Sequence, residues 1–389
     1  MKNILSKIGI MGGTFNPIHN AHIEIAKSAC EQFNLDKVLF ITSGNPPHKK
    51  NRTKTSPYLR HKMVTEAIKN YEKFEACDYE VKKETYSYTL ETLKYIKKEY
   101  NNPEIFFIIG ADSLHDLPKW YKPRTILELC TLLVYKRIGY DMEKDLKEIK
   151  KEYYCIADFI DAENVDISST DIREKIKNGE EIDQFVPKSV NEFIKRNNLY
   201  KENTENLKER IKKALTKERF THSMGVVKMA EGLAKIYKED EKKAYTAAIL
   251  HDCAKNIDLE TSLKKCEDYD VYLDESERKN PLLIHAKLGE KIAEYEYGIK
   301  DRDILNAIKW HTVGRKGMST LEKIIFVADM IEKGRTFPGV ENLRKLARED
   351  LDSAVKECIL NTIKFNEEKN KEIHPNAYEV INWIESFKK

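Results

Sequence analysis

The chain contains no run of about 18 consecutive apolar residues, so an ordinary membrane-spanning helix is not expected. Its opening stretch, "MKNILSKIGIMGG", lacks the apolar core and small-residue cleavage site of an export signal, and none is expected. Cysteine is sparse and scattered: seven residues, an odd number, with no Cys-x-x-Cys pair. That argues against a disulfide framework and for reduced thiols, hence for a cytoplasmic protein. An excess of one charge is missing too, since 68 basic residues nearly balance 65 acidic ones and leave +3. Composition therefore offers no reason to expect nucleic acid or a membrane as partner. No low-complexity tract or evident repeat is present. What remains is a globular composition, 41% hydrophobic and 34% charged, over 389 residues, room for two or three domains.

The two halves follow different patterns. In the first, short runs apolar on both faces ("KIGIMGG", "KVLFITSG", "EIFFIIGAD", "CTLLVYKR") alternate with helical stretches such as "HIEIAKSACEQF" and "YLRHKMVTEAIKNY". Strands apolar on both faces imply a parallel sheet covered by helices, so a doubly wound α/β domain is predicted, with its site in loops after strand ends. From about Thr204 the strand pattern disappears. "ENLKERIKKALTKERF", "EKKAYTAAILHDCAKNI", "HAKLGEKIAEYEY", "TLEKIIFVADMIEKG" and "DLDSAVKECILNTIKFNEEK" all repeat apolar residues at helical spacing. The expected organisation is an α/β domain over 1–200 and an all-α domain over 206–389, joined by the polar stretch "YKENTEN".

"GGTFNPIHNAH", Gly12 to His22, follows the first strand. Gly12 and Gly13 permit close approach of backbone N–H groups to a phosphate, with Thr14 and Phe15 completing the turn. Pro17 suits a helix start, and His19 and His22, three residues apart, would share a face. The loop has no lysine, unlike a kinase-type phosphate loop. Alone, such a histidine pair is as readily a capping pair. A second segment, "VDISSTDIREKI", sets Ser168, Ser169 and Thr170 at a helix N-terminus with Arg173 one turn in, an arrangement that favours an anion.

Together these segments resemble the H-x-G-H nucleotidylyltransferase superfamily. Within it, "NPPHK", "SYTLETL", "GADSLHDLPKW" and "VYKR" make the first half similar to bacterial nicotinate mononucleotide adenylyltransferase. The resemblance implies in-line attack of the nicotinate mononucleotide phosphate on the α-phosphorus of ATP, with Mg²⁺ on the polyphosphate and pyrophosphate leaving. It implies that His22 chiefly stabilises the developing charge, with His19 and Arg173 assisting. Gly12, Gly13, Thr14, Phe15, Gly110, Asp112, Ser168, Ser169, Thr170 and Arg173 would bind nucleotide. Lys49, Thr85 and Trp120 would meet the nicotinate substrate; for Trp120 a stack on the pyridine ring and a core position stand as alternatives. Two departures from the family pattern are assigned to Asn16, where Asp is usual, and to Asn20, where Gly is expected. Activity is expected to survive both.

The second half carries histidines at breaks and ends of apolar helices: His222 in "RFTHSMGV", His251–Asp252 in "AAILHDCAK", His285 in "LLIHAKLG" and His311 in "IKWHTVGR". Asp329 follows the apolar run of "IIFVADMIEKG", and a carboxylate there needs a partner or a metal. Such groups on separate helices can converge on divalent metal. The ordered set resembles the HD-domain phosphohydrolase superfamily, and with "EKGRTFPGVENLR" a bacterial branch that cleaves diadenosine tetraphosphate symmetrically. The resemblance implies that His222, His251, Asp252 and Asp329 are central ligands and that His285 and His311 hold a second metal. Iron is the ion implied. Asp252 also counts among the catalytic residues, because a dinuclear centre makes hydroxide available at neutral pH. Arg335 would bind polyphosphate; Lys255 would face the leaving phosphate or stand as a solvated lysine. His374, in "EIHPNAY", shows no partner pattern and reads as structural. Two alternatives stand for this half: a phosphohydrolase of another nucleotide, and a nucleotide-sensing regulatory module. Oligomeric state is open, a homo-oligomer included.

Overall fold

In a computed structural model of the protein, the residues described are 6–44, 55–83, 86–135, 142–162, 167–200 and 206–386. The chain divides into two compact units, Met1–Glu202 and Asn203–Lys389.

The first unit is built on six parallel strands: β1 (Lys7–Gly13), β2 (Lys37–Thr42), β3 (Phe74–Cys77), β4 (Glu104–Ile109), β5 (Thr131–Tyr135) and β6 (Ala157–Ile160). Their order is β3-β2-β1-β4-β5-β6. Ile8, Ile10, Leu39, Ile41, Ile105 and Phe107 form the sheet's part of a core closed by helical residues such as Leu93 and Ile126. Burial on both sides explains the unbroken apolar runs. The chain winds outward from β1 to β3, then returns beside β1 with β4. That reversal opens a crevice at the carboxyl ends of β1 and β4, the switch point where such sheets take ligands. Gly12 and Gly13 end β1 there. Strands β3 and β6, four residues each, escape the sequence reading because short edge strands carry too little pattern.

The described residues of the second unit form helices and turns without a strand. Two helical stretches of the sequence prove to be interrupted. "ENLKERIKKALTKERF" breaks at Leu215–Thr216, where the Thr216 hydroxyl caps the helix Lys217–Tyr237 by accepting from the Arg219 N–H. "EKKAYTAAILHDCAKNI" is helical only over Glu241–Leu250; His251 caps its end and turns follow.

Candidate active sites

The crevice of the first unit holds a cavity of about 600 Å³ bordered by Gly12, Gly13, Thr14, Ser43, Glu80 and Trp120. That volume suits a nucleotide-sized ligand. A Cβ on Gly12 would meet nothing nearer than Phe107 at 3.9 Å, so the open space above the strand end is kept free by the missing side chain. Trp120 lines this cavity and sets its edge against Phe107, ring centroids 6.1 Å apart.

The histidine pair begins the helix Asn20–Phe33, with His19 as its N-cap. Pro17 stands before the helix, in a cis peptide with Asn16, rather than in its first turn. The His19 N–H donates to His22 Nδ1 at 3.3 Å, and the two rings lie 3.8 Å apart. With Nδ1 accepting, the proton of neutral His22 resides on Nε2, where it can be donated to an anion. Burial, reinforced by the neighbouring His19, holds the His22 pKa well below the ordinary value of 6.5. Phe15 is 2% exposed and sets its ring edge-on to His22; like His19, His22, Ser168, Ser169, Thr170 and Arg173, it is not among the residues that line the cavity.

The "ISSTDIR" segment is braced onto this loop. Ser168 caps the helix Ser169–Lys177 in a reciprocal pair with Asp171. Ser169 Oγ donates to the Pro17 carbonyl at 2.8 Å, and Arg173 Nη1 donates to the Asn16 carbonyl at 2.8 Å. Arg173 Nη2 reaches Thr170 Oγ1 at 3.1 Å. Asn16 Oδ1 accepts from the Tyr200 hydroxyl at 2.9 Å. Asn20 Nδ2 donates to the Gln184 carbonyl at 3.0 Å. Counted along His19–His22, the glycine of H-x-G-H falls on Ala21; Asn20 fills the free position, so the second departure belongs to Ala21. Gly110 caps the helix Ala111–Asp116 and is exposed. Lys49, Thr85 and the Asp112 side chain lie outside the described residues.

Sequence reasoning passed over Arg60. It is 1% exposed and donates to the carbonyls of Thr14 at 2.5 Å and Ser43 at 2.7 Å, tying the loop after β1 to the loop after β2. A lone arginine among Leu59, Met63, Val64 and Ala67 on one apolar helix face was the available signal.

In the second unit, six residues carried on five helices or the turns directly after them converge. Three overlapping groups, His222–His251–Asp252, His251–His311–Asp329 and Asp252–His285–His311, each bring their ligand atoms within 4.8 Å. Asp252 stands between them: Oδ1 lies 3.2 Å from His285 Nε2 and 3.7 Å from His311 Nε2, while Oδ2 lies 3.4 Å from His251 Nε2. His222 Nε2 is 2.9 Å from Asp329 Oδ1. Burial pushes His285 down to about 4.

The tautomers decide what this cluster suits. Nδ1 of His251, His285 and His311 each sits 2.7 Å from a backbone carbonyl, of Ala248, Leu282 and Ile308 respectively. A carbonyl only accepts, so each Nδ1 carries the proton and each Nε2 presents a lone pair inward. His285 and His311 then bring two such lone pairs within 3.2 Å. Nearly buried lone pairs gathered beside two carboxylates require cations, and the donor set fits divalent metal. His222 Nδ1 faces Glu332 Oε1 at 3.2 Å, a carboxylate behind a histidine as in many metal centres.

Three cations stand against this cluster: Arg219 donates to Asp252 Oδ2 at 2.8 Å, Arg335 to Asp329 Oδ1 at 2.8 Å, and Lys255 Nζ lies 3.2 Å from the His285 ring nitrogens. With Thr216, Glu218, His222 and Asn256 they line an opening of about 410 Å³. Lys255 is therefore no solvated surface lysine; burial depresses its pKa. Arg219 and Glu332 were not picked out from the sequence, although Arg219 lies three residues before His222 on one helix. His374, which showed no partner pattern in the sequence and reads as structural, faces Asp274 Oδ2 at 3.3 Å.

Fold and sites together define a parallel α/β nucleotidyltransferase domain followed by a helical domain with a His/Asp metal-type centre. Residues 10–175 match the cytidylyltransferase-like family model and residues 219–334 the HD domain model. A probable nicotinate-nucleotide adenylyltransferase of Clostridium novyi is 46% identical over 200 residues, 51% of this chain and 100% of that protein. Its Clostridium acetobutylicum counterpart is 45% identical over 199 residues, 50% of this chain and 100% of that protein. Through its first half, the chain belongs to the nicotinate-nucleotide adenylyltransferase family. A solved Clostridium acetobutylicum protein, described as a predicted HD superfamily hydrolase involved in NAD metabolism, is 42% identical. It covers 46% of this chain and 95% of its own, with a TM-score of 0.45. The chain is an enzyme that joins an adenylyltransferase domain to a hydrolase-type HD domain, a class that binds divalent metals. No helix among the described residues is long and apolar enough to cross a membrane.

Proposed function

We propose that residues 1–200 transfer AMP from ATP to nicotinate mononucleotide, releasing pyrophosphate, and that residues 206–389 hydrolyse diadenosine tetraphosphate symmetrically to two ADP. For the first reaction, the supporting observation is the clasp of "GGTFNPIH" by "ISSTDIR" beside the switch-point cavity. The nucleophile is already an anion, so the reaction needs positioning and charge stabilisation rather than a strong base. His22, donating through Nε2, stabilises charge on the α-phosphate; His19 and Arg173 assist, and Gly12, Gly13 and Thr14 line the polyphosphate path. Mg²⁺ arrives with ATP. Trp120 meets the pyridine ring. Purified protein given ATP and nicotinate mononucleotide should release pyrophosphate and the dinucleotide; absence of both products refutes this reading.

For the second reaction, the supporting observation is the inward set of Nε2 lone pairs around Asp252. His222, His251, Asp252 and Asp329 would hold one divalent metal and His285, His311 and Asp252 a second, iron being the ion proposed. Such a pair supplies nucleophilic hydroxide at neutral pH. Arg335 and Lys255 would steady the phosphate chain, which guanidinium and ammonium groups bind well. Symmetrical cleavage yields ADP alone. AMP plus ATP would refute it, and no turnover with added Fe²⁺ or Mn²⁺ would favour a sensing module. Asp252→Ala should abolish this activity and leave adenylyl transfer intact.

A further inference from the structure

The metal-type cluster rests on both long helices and short, irregular elements. His222, His251 and Asp329 lie within or directly after the helices Lys217–Tyr237, Glu241–Leu250 and Thr320–Ile331. His285 instead is the second residue of its helix, directly after the three-residue turn Pro281–Leu283 and the short helix Glu275–Lys279. His311, like His251, directly follows its helix, and the turn after it carries Gly314 at φ +65 and Gly317 at φ +78. Short and irregular elements have few hydrogen bonds of their own and rely on neighbours for rigidity.

One segment, beyond the residues matched by the HD model, supplies those neighbours on both sides. Asn376 Nδ2 donates to the Gly314 carbonyl at 2.7 Å. The fully buried Val380 covers the same glycine, its Cγ2 lying 3.4 Å from where a Cβ would stand. On the other side His374 Nε2 faces Asp274 Oδ2 at 3.3 Å. Asp274 caps the helix Glu275–Lys279 by accepting from the Glu277 N–H at 3.0 Å. Lys287, two residues after His285, donates to Asp274 at 3.2 Å and to Glu277 at 2.6 Å.

Asp274, Glu277 and His374 are close enough to be taken for a metal site of their own. Two observations assign them to bracing instead. The Lys287 ammonium already offsets both carboxylates. His374 Nδ1 accepts from the Asn376 N–H at 3.2 Å, which leaves the ring proton on Nε2, facing Asp274 as a donor rather than as a ligand lone pair.

We propose that residues 374–380 form a clasp that positions His285 and His311, with His374 and Asn376 as positioning residues, so that metal affinity at the Asp252–His285–His311 group, and not at the His222–His251–Asp252 group, depends on it. The proposal rests on the dinuclear reading above. The test uses full-length wild type, His374→Ala, His374→Gln and Asn376→Ala, stripped of metal and titrated anaerobically with Fe²⁺ by calorimetry. H374A and N376A should bind the first metal as wild type does and the second about tenfold more weakly, the loss typical of removed support behind a ligand. H374Q, whose amide can still donate to Asp274, should recover. Unchanged first-metal affinity would show that the unit is folded. Two metals at full affinity in both H374A and N376A would overturn the clasp. So would H374Q as defective as H374A with N376A normal, the pattern of a separate metal site. Amide exchange over residues 280–287 and 312–317, measured without metal, should rise in H374A and N376A. Unchanged exchange would overturn the clasp whatever the metals do, whereas fewer than two metals on wild type, with exchange raised in the variants, would sink only the dinuclear reading.

Discussion

Replacing Arg60 by Met should damage the first unit twice over, in stability and in nucleotide binding. The side chain is 1% exposed, and its two short hydrogen bonds end on Thr14 O and Ser43 O, with weaker ones to Thr55 O at 3.4 Å and Gly44 O at 3.5 Å. A hydrogen bond from a charged donor contributes about 1.5–3 kcal/mol, so two short ones amount to about 3–6 kcal/mol. Holding a buried guanidinium is itself costly: burial pushes Arg60 down to about 10. Met removes that cost while filling much of the volume, so a net loss of about 2–4 kcal/mol is expected. Lys, a point charge without the fork, should fall between. The measurement is urea unfolding followed by Trp120 fluorescence, with Trp310 and Trp383 changed to Phe so that the signal comes from the first unit. Thr14 and Ser43 both line the cavity, and their loops would lose their common tether. The KM for ATP should therefore rise about tenfold or more, since small misplacements are costly in transfer reactions. Stability within about 1 kcal/mol of the parent, together with an unchanged KM, would refute the assignment of Arg60 as the tie between the strand ends.

Three further outcomes can be checked. His22→Asn should lower kcat for adenylyl transfer by about 10²–10³-fold, the loss seen when one donor to a developing oxyanion is removed, with diadenosine tetraphosphate hydrolysis unchanged. Because the folded-state pKa of His22 lies below 6.5, the unfolded chain binds the extra proton. The first unit should thus lose stability as pH falls below 6.5, and His22→Asn should flatten that part of a pH–stability profile. Glu332→Gln weakens the charge behind His222 Nδ1 at 3.2 Å, so about 10–100-fold weaker metal binding is expected, measured by competition with a chelator.

Much of the first unit was legible because its signals are local. The strands β1, β2, β4 and β5 are apolar on both faces, and a glycine pair followed by two histidines needs no distant partner to be noticed. Strands β3 and β6 were not legible, since four residues at a sheet edge are specified by the neighbour they pair with. Arg60, Tyr200, Arg219 and Glu332 escaped for a related reason. Each acts through a partner at least 33 residues or more away in sequence or on another element, as Arg219 does toward Asp252 and Tyr200 toward Asn16. In the helical half, the residue types and order His…His-Asp…His…His…Asp pointed to metal before any geometry was in hand.

By itself, then, the sequence determined the two-part organisation and the α/β and all-α classes, and pointed to candidate residues for both sites, because hydrophobic period and motif spacing are properties of adjacent residues. Only the tertiary structure decided what each group can do. It set the proton of His22 on Nε2, turned the Nε2 lone pairs of His251, His285 and His311 inward through carbonyls one turn back, and set Phe15 edge-on to His22. It also converted His374 from a lone histidine into part of a brace. Tautomer, orientation and bracing depend on hydrogen bonds between segments far apart in the chain, and those exist only once the chain has folded.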